Sequence, residues 1–212
     1  MMFTTNGFET YYWDDQSGPQ RKVSGVFSKE DLQKLMNRRA ERQELMSIPI
    51  DDKITDRYYQ KEAIRAVCGQ IEQGFRKHLL VMATGTGKTR TASSLTDVLS
   101  RGKWITNILF LADRTALVKQ AKDDFKRYLP DMSLCNLCSN KDDRNARIVF
   151  STYPTILNAI DDTKSRDGRQ LFTPAHFDLI IIDESHNLRN GAKGSRYRNI
   201  KALIDRQDSN VL

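Results

Sequence analysis

Cysteine is scarce: three occur in 212 residues, at positions 68, 135 and 138, too few for the disulfide framework of a small secreted domain. Cys135 and Cys138 form a lone C-x-x-C with neither the second pair nor the nearby histidine that structural zinc needs, and they read as small buried residues. His78 and His176 read as surface or strand-end residues rather than ligands. No apolar run approaches the about 18 residues of a membrane span, and the N-terminus has no basic region followed by an apolar core, so neither a bilayer span nor a signal peptide is expected. The expected compartment is the cytoplasm. Internal repeats and low-complexity tracts are also lacking, which excludes solenoids and linkers as the main architecture.

Acidic residues are in deficit, 27 against 34 Lys and Arg, for a formal charge of +7. That balance suits a polyanion partner without specifying one. The sharpest local excess is at 187–202, where Arg189, Lys193, Arg196, Arg198 and Lys201 meet no acid and Gly191 and Gly194 loosen the chain. Two uses stay open for it: an element that tracks a nucleic-acid backbone, or a solvated loop and helix face. Arg38, Arg39 and Arg42 lie among Glu41 and Glu44, where pairing within the helix is expected.

Against these absences stands one dense segment. The apolar run Leu79-Leu80-Val81-Met82 breaks into Ala83-Thr84-Gly85-Thr86-Gly87-Lys88-Thr89. A buried strand is expected to deliver the loop, whose glycines let backbone N–H groups close around phosphate. Lys88 would reach the β- and γ-phosphates of a nucleoside triphosphate, and the Thr89 hydroxyl would ligate Mg²⁺. Thr84, Gly85, Thr86 and Gly87 form the cradle. The strict pattern asks for Gly where Met82 stands, so the match is to a looser version of the loop. A second segment, Asp178-Leu179-Ile180-Ile181-Ile182-Asp183-Glu184-Ser185-His186, is a β-branched run ending in two adjacent carboxylates. It reads as a buried parallel strand. Asp183 can hold Mg²⁺ opposite Thr89, Glu184 can orient and deprotonate the attacking water, and His186 is placed to sense the outcome.

Further strands open into loops at Asn107–Ala112, followed by Asp113-Arg114-Thr115, and at Ile148–Phe150, followed by Ser151-Thr152-Tyr153-Pro154. Between them run helical spacings: Ile64, Val67, Cys68 and Ile71, then Leu95, Val98 and Leu99, then Leu117, Ala121, Phe125 and Tyr128. Alternation with right-handed crossovers predicts an α/β fold, a mostly parallel sheet with helices on both faces and all four loops at the carboxyl ends of its strands. Residues 1–27 carry aromatics and a Gly-Pro turn and read as the last strands of a preceding domain. Residues 28–46 read as a helix capped by Ser28, with Glu30 and Asp31 in its first turn, broken at Ile48-Pro49-Ile50. The organisation expected is an appendage at 1–27, a helical linker at 28–53 and an ATPase core at 54–212.

The ordered motifs Tyr58-Tyr59-Gln60, Ala83–Thr89, Leu111-Ala112-Asp113-Arg114, Ser151-Thr152-Tyr153 and Asp183-Glu184-Ser185-His186 resemble the first RecA-like motor domain of superfamily-two helicases and translocases, over roughly residues 55–212. The resemblance implies that Gln60 reads the adenine edge, hence ATP with Mg²⁺. It implies that Arg114, Thr115, Ser151 and Thr152 contact a nucleic-acid backbone, although Gln60 as a surface residue and Thr152 as a helix cap are alternatives. The strings Thr5–Asp14, Val23–Leu32 and Phe150–Thr155 are similar to the type I restriction subunits of the HsdR kind, at the joint between nuclease and motor. That implies double-stranded DNA and the modification (methyltransferase) and specificity subunits as partners, with a nuclease upstream. No nuclease constellation is present in the first 54 residues. Asn187-Leu188-Arg189-Asn190 departs from the Arg-Ser usual there and looks closer to chromatin-remodeller-type duplex translocases. Both relatives imply movement on duplex DNA. Asp208–Leu212 looks like the opening of another core strand, and the second motor domain with its arginine finger is expected beyond it; without that finger, worth about 10³–10⁵ in rate, turnover by this stretch alone is expected to be poor.

Overall fold

The computed structural model describes residues 1–16, 18–139, 145–161, 172–173, 175–183, 204 and 209–212. Three strands, β1 (Met2–Thr5), β2 (Thr10–Asp14) and β3 (Gly18–Val23), form an antiparallel sheet in the order β1-β2-β3. Its inner face carries an aromatic triad: Phe3, Tyr12 and Phe27 lie with ring centroids 4.9–5.1 Å apart. Ala175, Leu32 and Leu35 close this small core, which therefore rests on the larger domain.

Helix α1 (Lys29–Glu41) begins where Ser28 accepts a hydrogen bond from the Asp31 N–H at 3.0 Å. It stops five residues before the expected end. Instead of continuing, the chain makes a short 3₁₀ turn at Leu45–Ser47, fixed by tertiary partners. The Glu72 carboxylate accepts from the Leu45 N–H, and the Arg65 guanidinium donates to the carbonyls of Leu45 and Ile48. The arginines of α1 do not pair along the helix as expected. Arg38 reaches Asp178, Arg39 reaches Asp14 and Asp15, and Arg42 lies over the Trp104 ring at 4.4 Å.

The main body is a five-stranded parallel sheet in the order β5-β6-β4-β7-β8, made of β4 (Ile108–Ala112), β5 (Leu134–Asn136), β6 (Ile148–Thr152), β7 (Leu179–Ile182) and β8 (Asn210–Val211). Alternation along the strands feeds two cores. Ile108, Phe110, Ile148, Phe150, Leu179 and Ile181 face α2 (Tyr58–Glu72), α3 (Lys88–Arg101) and α4 (Thr115–Tyr128). Leu109, Leu111, Val149 and Ile180 face the other side, with Ile156 and Ala159 of α5 (Tyr153–Asp161) and with Phe172 and Phe177. The expected α/β architecture is thus present, with apolar side chains on both faces of each buried strand.

The strand expected before the glycine loop does not form. Lys77 makes a single parallel bridge to Val211, and beyond it Leu79 and Val81 are 74% and 89% exposed. Arg76 and His78 exchange backbone hydrogen bonds with Val211 of β8, and the pairing goes no further among the described residues.

At the amino end of β7, buried Asp178 gathers the appendage onto the sheet. One oxygen lies 3.0 Å from Arg38 and 3.2 Å from Lys34; the other accepts from the N–H groups of Thr106 and Asn107. Arg38 also donates to the Trp104 carbonyl, and Lys34 to those of Ala175 and His176. A buried carboxylate is tolerated when its lone pairs are filled in this way. Asp178→Ala leaves enclosed Arg38 without its counter-charge and Lys34 with only Asp31, 3.9 Å away, and urea denaturation is expected to show a loss of about 3–5 kcal/mol; a loss below about 1 kcal/mol would refute the anchoring role. His176 supplies a pH signature. Burial, with Lys34 adding to it, holds its imidazole down at about 4. Because the unfolded chain takes up that proton near 6.5, stability is full above that pH and declines as pH falls from 6.5 towards 4. Thermal melts of the wild type and His176→Gln should show that acid slope in the first and a flatter one in the second.

Candidate nucleotide site

Parallel register brings the chemical loops to one edge. Ala112 pairs with Thr152 and Leu111 with Ile182, so Asp113, Tyr153 and Asp183 leave the sheet side by side. The Asp183 N–H donates to the Leu111 carbonyl at 2.9 Å, which fixes the end of β7 against β4. Lys77 aligns with Val211, and Val211 with Ile180, so the chain after Lys77 climbs toward the same edge and delivers the glycine loop there.

The loop has the backbone of an anion cradle. Gly85 and Gly87 take φ of +77° and +87°, in the left-handed region open to glycine. Gly87 is the N-cap of α3 and offers no side-chain oxygen, so the first N–H groups of that helix keep their hydrogen-bonding capacity for a ligand. Thr86 folds back on the loop, its hydroxyl donating to the Ala83 carbonyl at 2.6 Å, while Thr84 and Gly85 are exposed. Lys88 is half-buried and has no ion-pair or hydrogen-bond partner among the described residues; Thr89 follows it in the first turn, also half-buried. An unneutralised cation beside a left-handed glycine and a helix N-terminus fits a phosphate chain.

Gln60 is not a surface residue. It is 1% exposed, on the first turn of α2, and its amide is used at both ends. Its oxygen accepts from the Thr55 hydroxyl, and its nitrogen donates to the Thr86 carbonyl at 2.8 Å. The approach is close enough that a Cβ on Gly87 would meet the Gln60 nitrogen at 2.5 Å. In this conformation Gln60 therefore braces the phosphate loop with one N–H of its amide, while one lone pair of its oxygen is taken by Thr55.

Sequence reasoning missed two neighbours. The Tyr59 hydroxyl accepts from Arg57 at 2.8 Å and donates to the same Thr86 carbonyl at 3.1 Å. Arg90 spans from α3 to α4, its Nε donating to the Tyr128 hydroxyl at 3.1 Å with the guanidinium 5.3 Å from the ring centre. The adjacency of Tyr59 to Gln60 was the available signal for the first; the second has none, being a contact between helices.

The candidate backbone contacts divide. Arg114 and Thr115 are exposed at the carboxyl edge, the former as N-cap and the latter as first residue of α4. Ser151 is fully buried, its hydroxyl donating to the Thr152 carbonyl, so here it does not face a nucleic acid. Thr152 is 7% exposed; its hydroxyl lies 3.0 Å from that of Thr155 and 3.9 Å from the Cys138 sulfur. Asp183 is half-buried at the tip of β7, and its carbonyl accepts from the Tyr153 hydroxyl at 3.4 Å. Glu184, His186 and the basic stretch 187–202 lie outside the described residues. Among the described residues no group of three His, Cys, Asp or Glu side chains forms a metal cluster, and no helix is long and apolar enough to cross a membrane.

Comparison with known proteins places this geometry. The family described as "Type III restriction enzyme, res subunit" matches residues 53–209. The chain is 39% identical over 131 residues to the type I restriction enzyme EcoAI endonuclease subunit of Escherichia coli, covering 61% of this chain but 16% of that protein. Among solved structures, a fragment of a putative HsdR subunit of a type I restriction enzyme from Vibrio vulnificus superposes with TM-score 0.52 and 26% identity, over 99% of this chain and 36% of the other. The Sulfolobus solfataricus SWI2/SNF2 ATPase core in complex with dsDNA superposes with TM-score 0.56 at 16% identity, over 73% of this chain and 31% of the other, which is a likeness of fold. With its parallel sheet, its glycine cradle and its strand-borne Asp183, the chain belongs to the type III restriction enzyme res-subunit family and is a superfamily-two, HsdR-like motor domain of RecA-like fold.

Proposed function

We propose that this domain binds Mg-ATP and couples its hydrolysis to movement on duplex DNA, as the motor of the restriction subunit of a type I restriction-modification enzyme. The observation that carries the proposal is Lys88, without a partner among the described residues, beside left-handed Gly87 at the start of α3 and on the same sheet edge as Asp183. Lys88 holds the β- and γ-phosphates. The first N–H groups of α3 bind phosphate oxygens without a competing side-chain cap. A Mg²⁺ held by Thr89 and Asp183 would neutralise charge accumulating on the phosphates. Glu184 aligns and deprotonates the attacking water, and His186 relays the state of the site. Gln60 serves adenine recognition by giving up its bond to Thr86, which ties base binding to release of the loop. Arg114 and Thr115, exposed on the same edge, hold a DNA phosphate; Thr152 is mostly enclosed, its hydroxyl beside that of Thr155, and Ser151 stays internal. Partner modification and specificity subunits supply sequence recognition, consistent with the restriction-subunit relatives.

ATP hydrolysis by the full-length parent, with circular duplex DNA, single-stranded DNA and RNA compared, tests this reading. Stimulation by duplex DNA is expected, with Glu184→Gln retaining Mg-ATP binding and losing about 10²-fold or more in turnover. Stimulation by RNA or single strands alone would discard the duplex motor in favour of a helicase. Lys88→Ala should weaken binding of a fluorescent ATP analogue by at least roughly tenfold, since a charge-assisted contact worth about 1.5–3 kcal/mol is removed. Gly87→Ala meets both a φ of +87° and the Gln60 nitrogen. It should cost about 1–2 kcal/mol in a melt and loosen nucleotide binding; wild-type behaviour in both assays would show that the loop does not need its glycine.

A further inference from the structure

A recess lies at the amino ends of the strands, opposite the nucleotide edge. It is a cavity of about 590 Å³ between one face of α1 and the segments that lead into β4 and β6. Lys29, Arg38, Lys103 and Arg147 line it, with Glu30 and Glu41 as its carboxylates. Lys34 also faces it but is committed to Asp178 and to two carbonyls.

Two features distinguish this groove from an ordinary charged surface. Arg38 is 8% exposed, and only its NH1 nitrogen is used, by Asp178 and by the Trp104 carbonyl. Its NH2 has no acceptor among the described residues; its Nε has none either but is sealed from solvent, so NH2 is the donor open to the groove. An enclosed guanidinium with open donors is costly unless something fills them. The rim repeats the pattern: Lys29, Lys103 and Arg147 have no ion-pair partner among the described residues, although Glu30 and Glu41 line the same space. Gln33 and Asn37, bonded to each other at 2.9 Å, add neutral donors between the charges.

We propose that this groove binds a phosphate group, at a site separate from the nucleotide cradle. Arg38 supplies a fixed planar donor at the floor, and Lys103 and Arg147 close on the oxyanion from the sheet side. The volume admits a ligand the size of a mononucleotide or a diphosphate. The phosphate comes either from a free polyphosphate or from the backbone of a nucleic acid reaching the far edge of the sheet.

The test uses the full chain carrying Lys88→Ala, so that the cradle on the other edge is silent, with and without the double change Lys103→Glu and Arg147→Glu. Both residues are exposed on the rim and remote from the nucleotide loop, and an unchanged melting temperature checks folding. Inorganic pyrophosphate is titrated by calorimetry, and a labelled duplex by fluorescence anisotropy across a salt series. Pyrophosphate binding that the double variant weakens at least tenfold supports a site for free polyphosphate. Duplex binding whose salt slope falls by about two in the double variant supports a backbone site. If neither titration responds, or if only a polyglutamate control binds, the phosphate site is refuted.

Discussion

Parallel pairing on both sides of β4 is the constraint from which the rest of the domain follows. All five of its residues are buried, and it meets β6 on one side and β7 on the other in a register that carries through its length. A buried central strand satisfies its backbone only if both of its edges are paired, and here both neighbours run in its own direction. That condition places the ends of three strands, and so the loops after Ala112, Thr152 and Ile182, on one edge. The same alternation splits Ile108 and Phe110 from Leu109 and Leu111, so one strand supports two cores. Chemistry collects at the carboxyl edge because that is where the chain leaves the sheet free of ladder hydrogen bonds.

The opposite edge is organised by charge. Asp178 is five residues from Asp183, with only β7 between them, and it binds α1, the approach to β4 and, through Lys34, the carbonyls of Ala175 and His176. The appendage is thus not merely tethered by sequence. Its helix is held at the foot of the strand whose tip carries the metal-binding candidate, while Arg39 gathers Asp14 and Asp15 from the small sheet.

What the sequence disclosed and what it hid divide along physical lines. The β-branched run before Asp183, the apolar run of β4, the spacing of Ile64, Val67, Cys68 and Ile71 and the Ser28 cap are local signals, and each corresponds to an observed element. The glycines at 85 and 87, read as part of a phosphate cradle, take the left-handed backbone that glycine allows. Long-range pairings left no such trace. Arg38, Arg39 and Arg42 sit at spacings that suit Glu41 and Glu44, yet their partners lie far off in sequence, and no local pattern encodes that choice. Strand β5 is too short to register as a pattern, and Leu79–Met82, apolar enough for a strand, is not paired as one. Of the candidate site, the glycine loop and the helix that follows it stand where the sequence pattern puts them, whereas the engagement of both ends of the Gln60 amide depends on how α2 packs over the loop.

One carbonyl ties the loop to α2. The Thr86 oxygen takes hydrogen bonds from both the Gln60 amide and the Tyr59 hydroxyl, so both of its lone pairs are spent inside the protein. Lifting the loop has to part both bonds together, and the first turn of α2 is therefore a latch on the cradle, coupling two elements that the sequence holds some 26 residues apart.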